Sequence, residues 1–335
     1  MGYRNITADQ LTFGIEIEGL LPADIVSREE ITVGHYHRGI QIPGLPTGWK
    51  AESDCSIDSR AGFVCLEIVS PILRGANGLQ QLVEVCQQLR RWGWKMNQSC
   101  GCHIHVGTSA LRGDALNRSP EFLRKAVALV MRNETALFAS TGTKTRELQH
   151  RGSNYSGSAR RDLAPFINNL DPARLRGCNR GRTLNLTNLG NDKQTIEFRV
   201  FQAGVKIHKV ATWVQIALGL VCKAYSMKRR AKFDVENADL QGTGGRVHQL
   251  TYDLCWLDYR GMSDKRHGRI LSDDDIELLR EAGQVLGFLP TVAESVAELK
   301  RLGAKYDADP REETGHRDSL GLSRRGRSVL ARYYS

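Results

Sequence analysis

Four short stretches of this chain alternate apolar residues with charged or titratable ones: LTFGIEIEG at 11–19, FVCLEIVSP at 63–71, SCGCHIHVG at 99–107 and QTIEFRVFQ at 194–202. Successive side chains of an extended strand point to opposite faces, so a period of two gives each stretch one apolar face and one polar face. Wound as helices, the same stretches would scatter their apolar residues. A sheet built from them must cover one face with helices and leave the other for polar chemistry.

The covering helices are legible too. GLQQLVEVCQQLRRWGW, residues 78–94, spaces Leu79, Leu82, Val83, Cys86 and Leu89 as the buried stripe of an amphipathic helix. PEFLRKAVALVMRNETALFA, with Pro120 near its start, and IHKVATWVQIALGLVCKAYS read as two more. TLNLTNLG reads as a further strand, and Pro71 stops FVCLEIVSP because proline lacks a donor. DDDIELLREAGQVLGFLPTVAESVAELKRLGAK reads as two helices broken near Gly287 and Pro290, a helical extension with no chemistry of its own. The class is α+β: a mostly antiparallel sheet with helices on one face, residues 1–225 as the main domain and 226–335 as a helical C-terminal extension.

At 335 residues, 41% hydrophobic and 25% charged, the chain can bury a sizeable core and is not disordered. It has no run of about 18 apolar residues and no basic-then-apolar leader pattern, so a cytoplasmic, membrane-free protein is expected. Its eight cysteines are scattered rather than spaced as a framework, and read as reduced thiols, mostly core. The net charge of +10 is local: residues 112–182 hold 14 Lys and Arg against 6 Asp and Glu, whereas residues 226–335 hold 19 against 18. That field suits an anionic ligand, or is simply a solvated arginine-rich loop. Within it, residues 140–183 read as a long polar loop of the kind that carries binding.

On the strands, Glu16 and Glu18 share a face, as do His103 and His105, and Glu197 and Arg199; Glu67 adds a carboxylate opposite Leu66 and Ile68. A lone Glu-x-Glu is more often a solvated strand edge. Repeated on four strands of one sheet, the polar faces would gather carboxylates and imidazoles into a cation site. Oxygen-rich donors with one or two histidines suit Mg²⁺ or Mn²⁺, whereas thiolates would have pointed to zinc. Read as a strand, SCGCHIHVG turns Gly101, His103 and His105 to one face and Cys100, Cys102, Ile104 and Val106 to the other, so its cysteines and histidines do not share an ion. Gly101 leaves room beside the histidines for a bound cofactor. Asp54, in ESDCSID, could add another oxygen or cap a turn. Arg199 could pair with Glu197 or hold a phosphoryl group in its guanidinium fork.

The order GIEIEG, a D-x-S segment, LEIVSP, GCHIHVG, LNL and TIEFRVFQ resembles the amidoligases, relatives of glutamine synthetase and glutamate–cysteine ligase that share a carboxylate–amine ligase fold. The resemblance runs from about Leu11 to Tyr225. It implies a glutamine synthetase-like catalytic half-barrel holding ATP and Mg²⁺ or Mn²⁺ on its concave face. Glu16, Glu18, Glu67, His103 and Glu197 then correspond to metal ligands. His105 falls on the nucleotide side with Gly101, and Arg199 on the phosphates. Asp54 and Glu67 complete the site near the substrate, as candidates for the base that takes the amine proton. Cys55 stands where glycine is usual, and residues 140–183 match no motif of the family.

The activity so implied is an ATP-dependent joining of a small-molecule or peptide carboxylate to an amine through an acyl phosphate, making an amide or isopeptide bond. Two other readings stay open at this point. A divalent-metal-dependent hydrolase also uses His-x-His with carboxylates, although the remaining histidines lack a strand-like setting. A nucleic-acid-binding protein, or a ligase acting on a nucleic-acid-borne group, would use the basic loop, which offers only Tyr155 and Phe166 for stacking. Oligomeric state is not legible.

Overall fold

The alternating stretches pair with one another into a single open sheet. The computed structural model describes residues 6–108, 120–144, 159, 180–227, 250–251, 253–254, 256 and 269–309. Its strands are β1 (Thr12–Pro22), β2 (Ile40–Gln41), β3 (Lys50–Glu52), β4 (Phe63–Val69), β5 (Leu73–Arg74), β6 (Gly101–Gly107), β7 (Leu184–Asn185) and β8 (Thr195–Gln202). They run in the order β2-β3-β4-β1-β6-β8-β7, with β5 on β1, and each strand pairs antiparallel. The α+β class with a mostly antiparallel sheet is therefore the observed one.

Described helices are α1 (Ala23–Arg28), α2 (Gly75–Arg91), α3 (Pro120–Ala139), α4 (Ile207–Ser226), α5 (Asp273–Glu281) and α6 (Val292–Asp307). All five apolar residues of the predicted α2 stripe are buried. They join Phe13, Ile15, Ile17, Cys102, Ile104, Val106, Ile196 and Phe198 from the sheet, and α3 and α4, in one core. The apolar face of each alternating strand is thus the face under the helices.

Gly19, the last residue of GIEIEG, shows how closely that face is packed. A Cβ there would lie 2.4 Å from Cε2 and Cζ2 of Trp94, whose ring lies over the strand just past the end of α2. Leu20, on the opposite side of β1, belongs to a smaller cluster with Ile57, Cys100 and Ala203. Cys100 thereby departs from the simple alternation: β6 begins at Gly101, and the residue before it is not bound by the strand's period. Cys102 lies in the main core as expected. Cys86 and Cys222 are also buried free thiols, Cys65 is half-buried, Cys55 is exposed, and Cys178 and Cys255 lie outside the described residues.

TLNLTNLG corrects a second expectation. Only Leu184–Asn185 is strand, and Thr187–Gly190 is a turn of 3₁₀ helix. The cause is local: Asn185 Oδ1 accepts from Thr187 N–H at 2.9 Å and from Thr187 Oγ1 at 2.7 Å, which bends the chain out of the ladder. The predicted break between the last two helices holds, with Ser272 and Thr291 capping α5 and α6 in capping boxes. Ile276, Val292, Val296, Leu299 and Tyr306 of these helices belong to the same core as the sheet. Of the long basic loop, only 140–144, Ala159 and 180–183 are described, so its predicted role lies largely outside the described residues. No helix among the described residues is long and apolar enough to cross a membrane.

Gly19→Ala should lower unfolding free energy by about 1–3 kcal/mol, the usual range for forcing volume into a packed core. Urea denaturation measures it, and an unchanged midpoint would contradict the packing of Trp94 on β1.

Candidate active site

Antiparallel register decides which polar side chains meet. Glu18 stands opposite Glu67, Glu67 opposite Glu52, Glu16 opposite His103, and His105 opposite Glu197. All lie on the face away from the helices. Between Cys102 and Ile104 the β6–β8 register shifts, so that Arg199 and Val200 together face the single residue His103. Such a bulge re-aims side chains, here next to the carboxylates.

Two groups result. Glu16, His105 and Glu197 each bring a ligand atom within 4.8 Å of the others', and Glu18, Asp54 and Glu67 do the same. His103, 4% exposed, stands between them: its Nδ1 is 3.0 Å from Glu16 Oε2 and 3.9 Å from Glu197 Oε1, while its Nε2 is 3.4 Å from Glu18 Oε1. His103, expected as a metal ligand, stands against both groups, and His105, expected on the nucleotide side, has a ring nitrogen among the atoms of the first. His105 Nε2 lies 3.0 Å from Glu16 Oε1, yet off the angle of a hydrogen bond, and is buried without a hydrogen-bond partner. Two ligands converging on one cation approach each other in that way.

The groups differ in electrostatics. Burial would raise Glu16, but the His105 and His103 imidazoles outweigh it and hold the carboxyl well below its usual range. For Glu197 burial is likewise outweighed, by His105, Arg199 and His103. His105 in turn is raised, because Glu16 and Glu197 overcome its burial. Arg199 donates from Nη1 to Glu197 Oε1, and Asn185 Nδ2 donates to Glu197 Oε2 at 2.6 Å. The first group carries its own positive charge.

The second group does not. Gly101 N–H donates to Glu18 Oε2, Ser56 N–H to Asp54 Oδ1 at 2.7 Å, and His37 N–H to Glu52 Oε2 at 2.7 Å, but no Lys or Arg pairs with Glu18, Glu52, Asp54 or Glu67 among the described residues. Asp54 caps a turn, and its carboxylate also lies within reach of Glu18 and Glu67. Like charges about 4 Å apart repel by roughly 4 kcal/mol at an intermediate dielectric. Burial first, then Glu16, Glu18, Asp54 and Glu52, push Glu67 up to about 10. Three oxygen donors with surplus negative charge fit a hard divalent cation, and the donor set of the first group, two carboxylates and one imidazole, fits another.

Except for Glu18, the residues of both groups line one side of a 410 Å³ cavity whose other walls include Tyr36, Arg180, Asn188, Asn191 and Lys193. Arg180 Nη2 lies 3.4 Å from Tyr36 Oη. Gly101, expected beside a cofactor, turns its amide to Glu18 instead of lining that cavity. Sequence reasoning missed Glu52 and Asn185. Glu52 and Asp54, two apart in KAESD, carry the same signal as Glu16 and Glu18, and Asn185 is the polar residue of LNL. Tyr36, Arg180 and Lys193 sit on loops, where no period marks them.

A family model described as "Putative amidoligase enzyme" matches residues 9–221. No curated protein matches the sequence. Among solved structures, a bifunctional glutathione synthetase from Pasteurella multocida is similar at 14% identity and a TM-score of 0.38, with 98% of this chain and 53% of that chain covered. This chain spans about half the length of that structure, a likeness too low to carry argument.

Because Glu67 titrates near 10 in the folded chain and near 4.5 when unfolded, folding takes up a proton between those values. Stability of the cation-free protein should then fall as pH rises from about 5 to 10, by at most ~1.4 kcal/mol per pH unit for one proton. Thermal melts in EDTA from pH 6 to 9 should show the decline, Mg²⁺ should oppose it most at high pH, and Glu67→Gln should flatten it. A melt independent of pH in the wild type would contradict the crowding of these carboxylates.

Proposed function

The chain belongs to the amidoligase family, and on that premise we propose that it is an ATP-dependent carboxylate–amine ligase working through an acyl phosphate. The observation that carries the reading is the pair of ligand groups on one sheet face, Glu16–His105–Glu197 and Glu18–Asp54–Glu67, with the Arg199 guanidinium beside the first. Substrates of the class are a small-molecule or peptide carboxylate and an amine. In this reading the sheet is the glutamine synthetase-like half-barrel, residues 1–225 are the catalytic domain and 226–335 the helical extension.

A carboxylate does not react with an amine at neutral pH, so its oxygen first takes the γ-phosphoryl of ATP, and ADP leaves. The amine nitrogen then attacks the acyl carbon, the C–N bond forms, the C–O bond to phosphate breaks and inorganic phosphate departs. Divalent cations held by the two groups supply charge neutralisation for the phosphates. Arg199, raised above the usual guanidinium range because Glu197 overcomes its burial, stays charged throughout and holds the transferring phosphoryl. Arg180 and Lys193 line the same cavity and draw polyphosphate to it. Glu197, fixed by Asn185 and Arg199, keeps the first group in place. Asp54, or Glu67 once a bound cation has displaced its proton, takes the proton that the amine loses, within the group whose negative charge also favours an incoming ammonium.

The test is release of ADP and phosphate from Mg²⁺–ATP that depends on both an added carboxylate and an added amine, screened over pooled amino acids and peptides. Arg199→Ala should lower that turnover by ~100-fold, the scale seen when one charge-stabilising donor is removed. Hydrolysis of a metabolite without ATP would overturn the ligase reading.

A further inference from the structure

Arg199 lies where the β6–β8 register shifts, and with Val200 it faces the single residue His103. Its backbone is held from the other side, where Arg199 N–H donates to Thr183 O at 2.9 Å. Thr183, fully buried, stands just before β7, and its hydroxyl donates to Glu134 Oε1. Ala159 N–H donates to the same Glu134 oxygen at 2.7 Å and lies 3.1 Å from Thr183 Oγ1. Glu134 is a residue of α3, 3% exposed. A carboxylate is expensive to bury without hydrogen-bond partners. Here it ties together three segments distant in sequence, α3, the chain at 159 and the lead into β7.

We propose that Glu134 is a positioning residue for Arg199, acting through Thr183 and fixing the β8 bulge from behind. The inference rests on the reading of Arg199 as the phosphoryl-binding group, but not on the identity of the substrates. Glu134 belongs to neither cation group and is not among the described residues that line the cavity. Its carboxylate keeps the Thr183 carbonyl turned to Arg199, so that the guanidinium reaches Glu197 and the cavity without having to order itself when ligand arrives.

The experiment follows the Arg199 Nε–Hε signal by NMR, assigned by its loss in Arg199→Lys, together with Mg²⁺–ATP affinity. Glu134→Gln retains an oxygen acceptor for both donors and should keep the wild-type signal and affinity. Glu134→Ala, and Thr183→Val, which keeps the shape and loses the hydroxyl, should each shift or broaden the signal and weaken Mg²⁺–ATP binding by about 10-fold, the scale of lost supporting contacts. Neither should weaken it further when combined with Arg199→Ala. If Glu134→Ala proves too unstable, Thr183→Val carries the same test. An unchanged Arg199 signal in either variant overturns the proposal. If the signal moves while Arg199→Ala itself leaves Mg²⁺–ATP affinity intact, the coupling stands and the phosphoryl-binding role of Arg199 falls.

Discussion

Mutual repulsion among buried carboxylates is the constraint on which the rest of this structure turns. Glu16, Glu18, Glu52, Asp54, Glu67 and Glu197 share one face of a sheet, and the chain answers their charge in two ways. Around Glu16 and Glu197 it supplies its own balancing groups, the Arg199 guanidinium and the imidazoles of His103 and His105. Around Glu67, among the described residues, it sets no Lys or Arg but backbone amides and the Nε2 of His103 beside Glu18, and Glu67 keeps its proton, which a divalent ion would displace. The crowding that destabilises the folded chain is the charge that a hard cation would neutralise.

What tolerates that strain is the other face. Each strand that carries a site residue turns aliphatic or aromatic neighbours into the core under α2, α3 and α4, so the ligand atoms sit on backbone held on both sides. Burying one such side chain is worth roughly 1.5–3 kcal/mol, and each central strand buries several. The site is therefore built on rigid elements, while Tyr36, Arg180 and Lys193, the cavity's outer wall, come from connecting segments. Under the proposed function, that division would keep the phosphoryl-transfer groups fixed and leave substrate selection to the rim.

Much of this was legible because the period of a strand is two. GIEIEG, GCHIHVG and TIEFRVFQ announce both the core face and the site face, and Glu16, Glu18, Glu67, His103, His105, Glu197 and Arg199 do come together. Period alone does not give register, so the division into two groups, with His105 in one and His103 between, needed the pairing of Glu16 with His103 and His105 with Glu197. Glu52 was overlooked although it repeats the two-apart pattern with Asp54. LNLTNLG reads as strand because leucines alternate there, and only the Asn185 side chain, bonding two residues ahead, reveals the turn. The Glu134 tie has no sequence signal, since its partners are a backbone amide and a hydroxyl from distant segments.

If the two groups on either side of His103 hold separate divalent cations, electron paramagnetic resonance of Mn²⁺ in the presence of ATP should count two bound ions per wild-type chain, one remaining in Glu18→Ala and one in Glu197→Ala, each variant still folded. Two ions retained in both variants, or none bound by the wild type, would contradict separate sites.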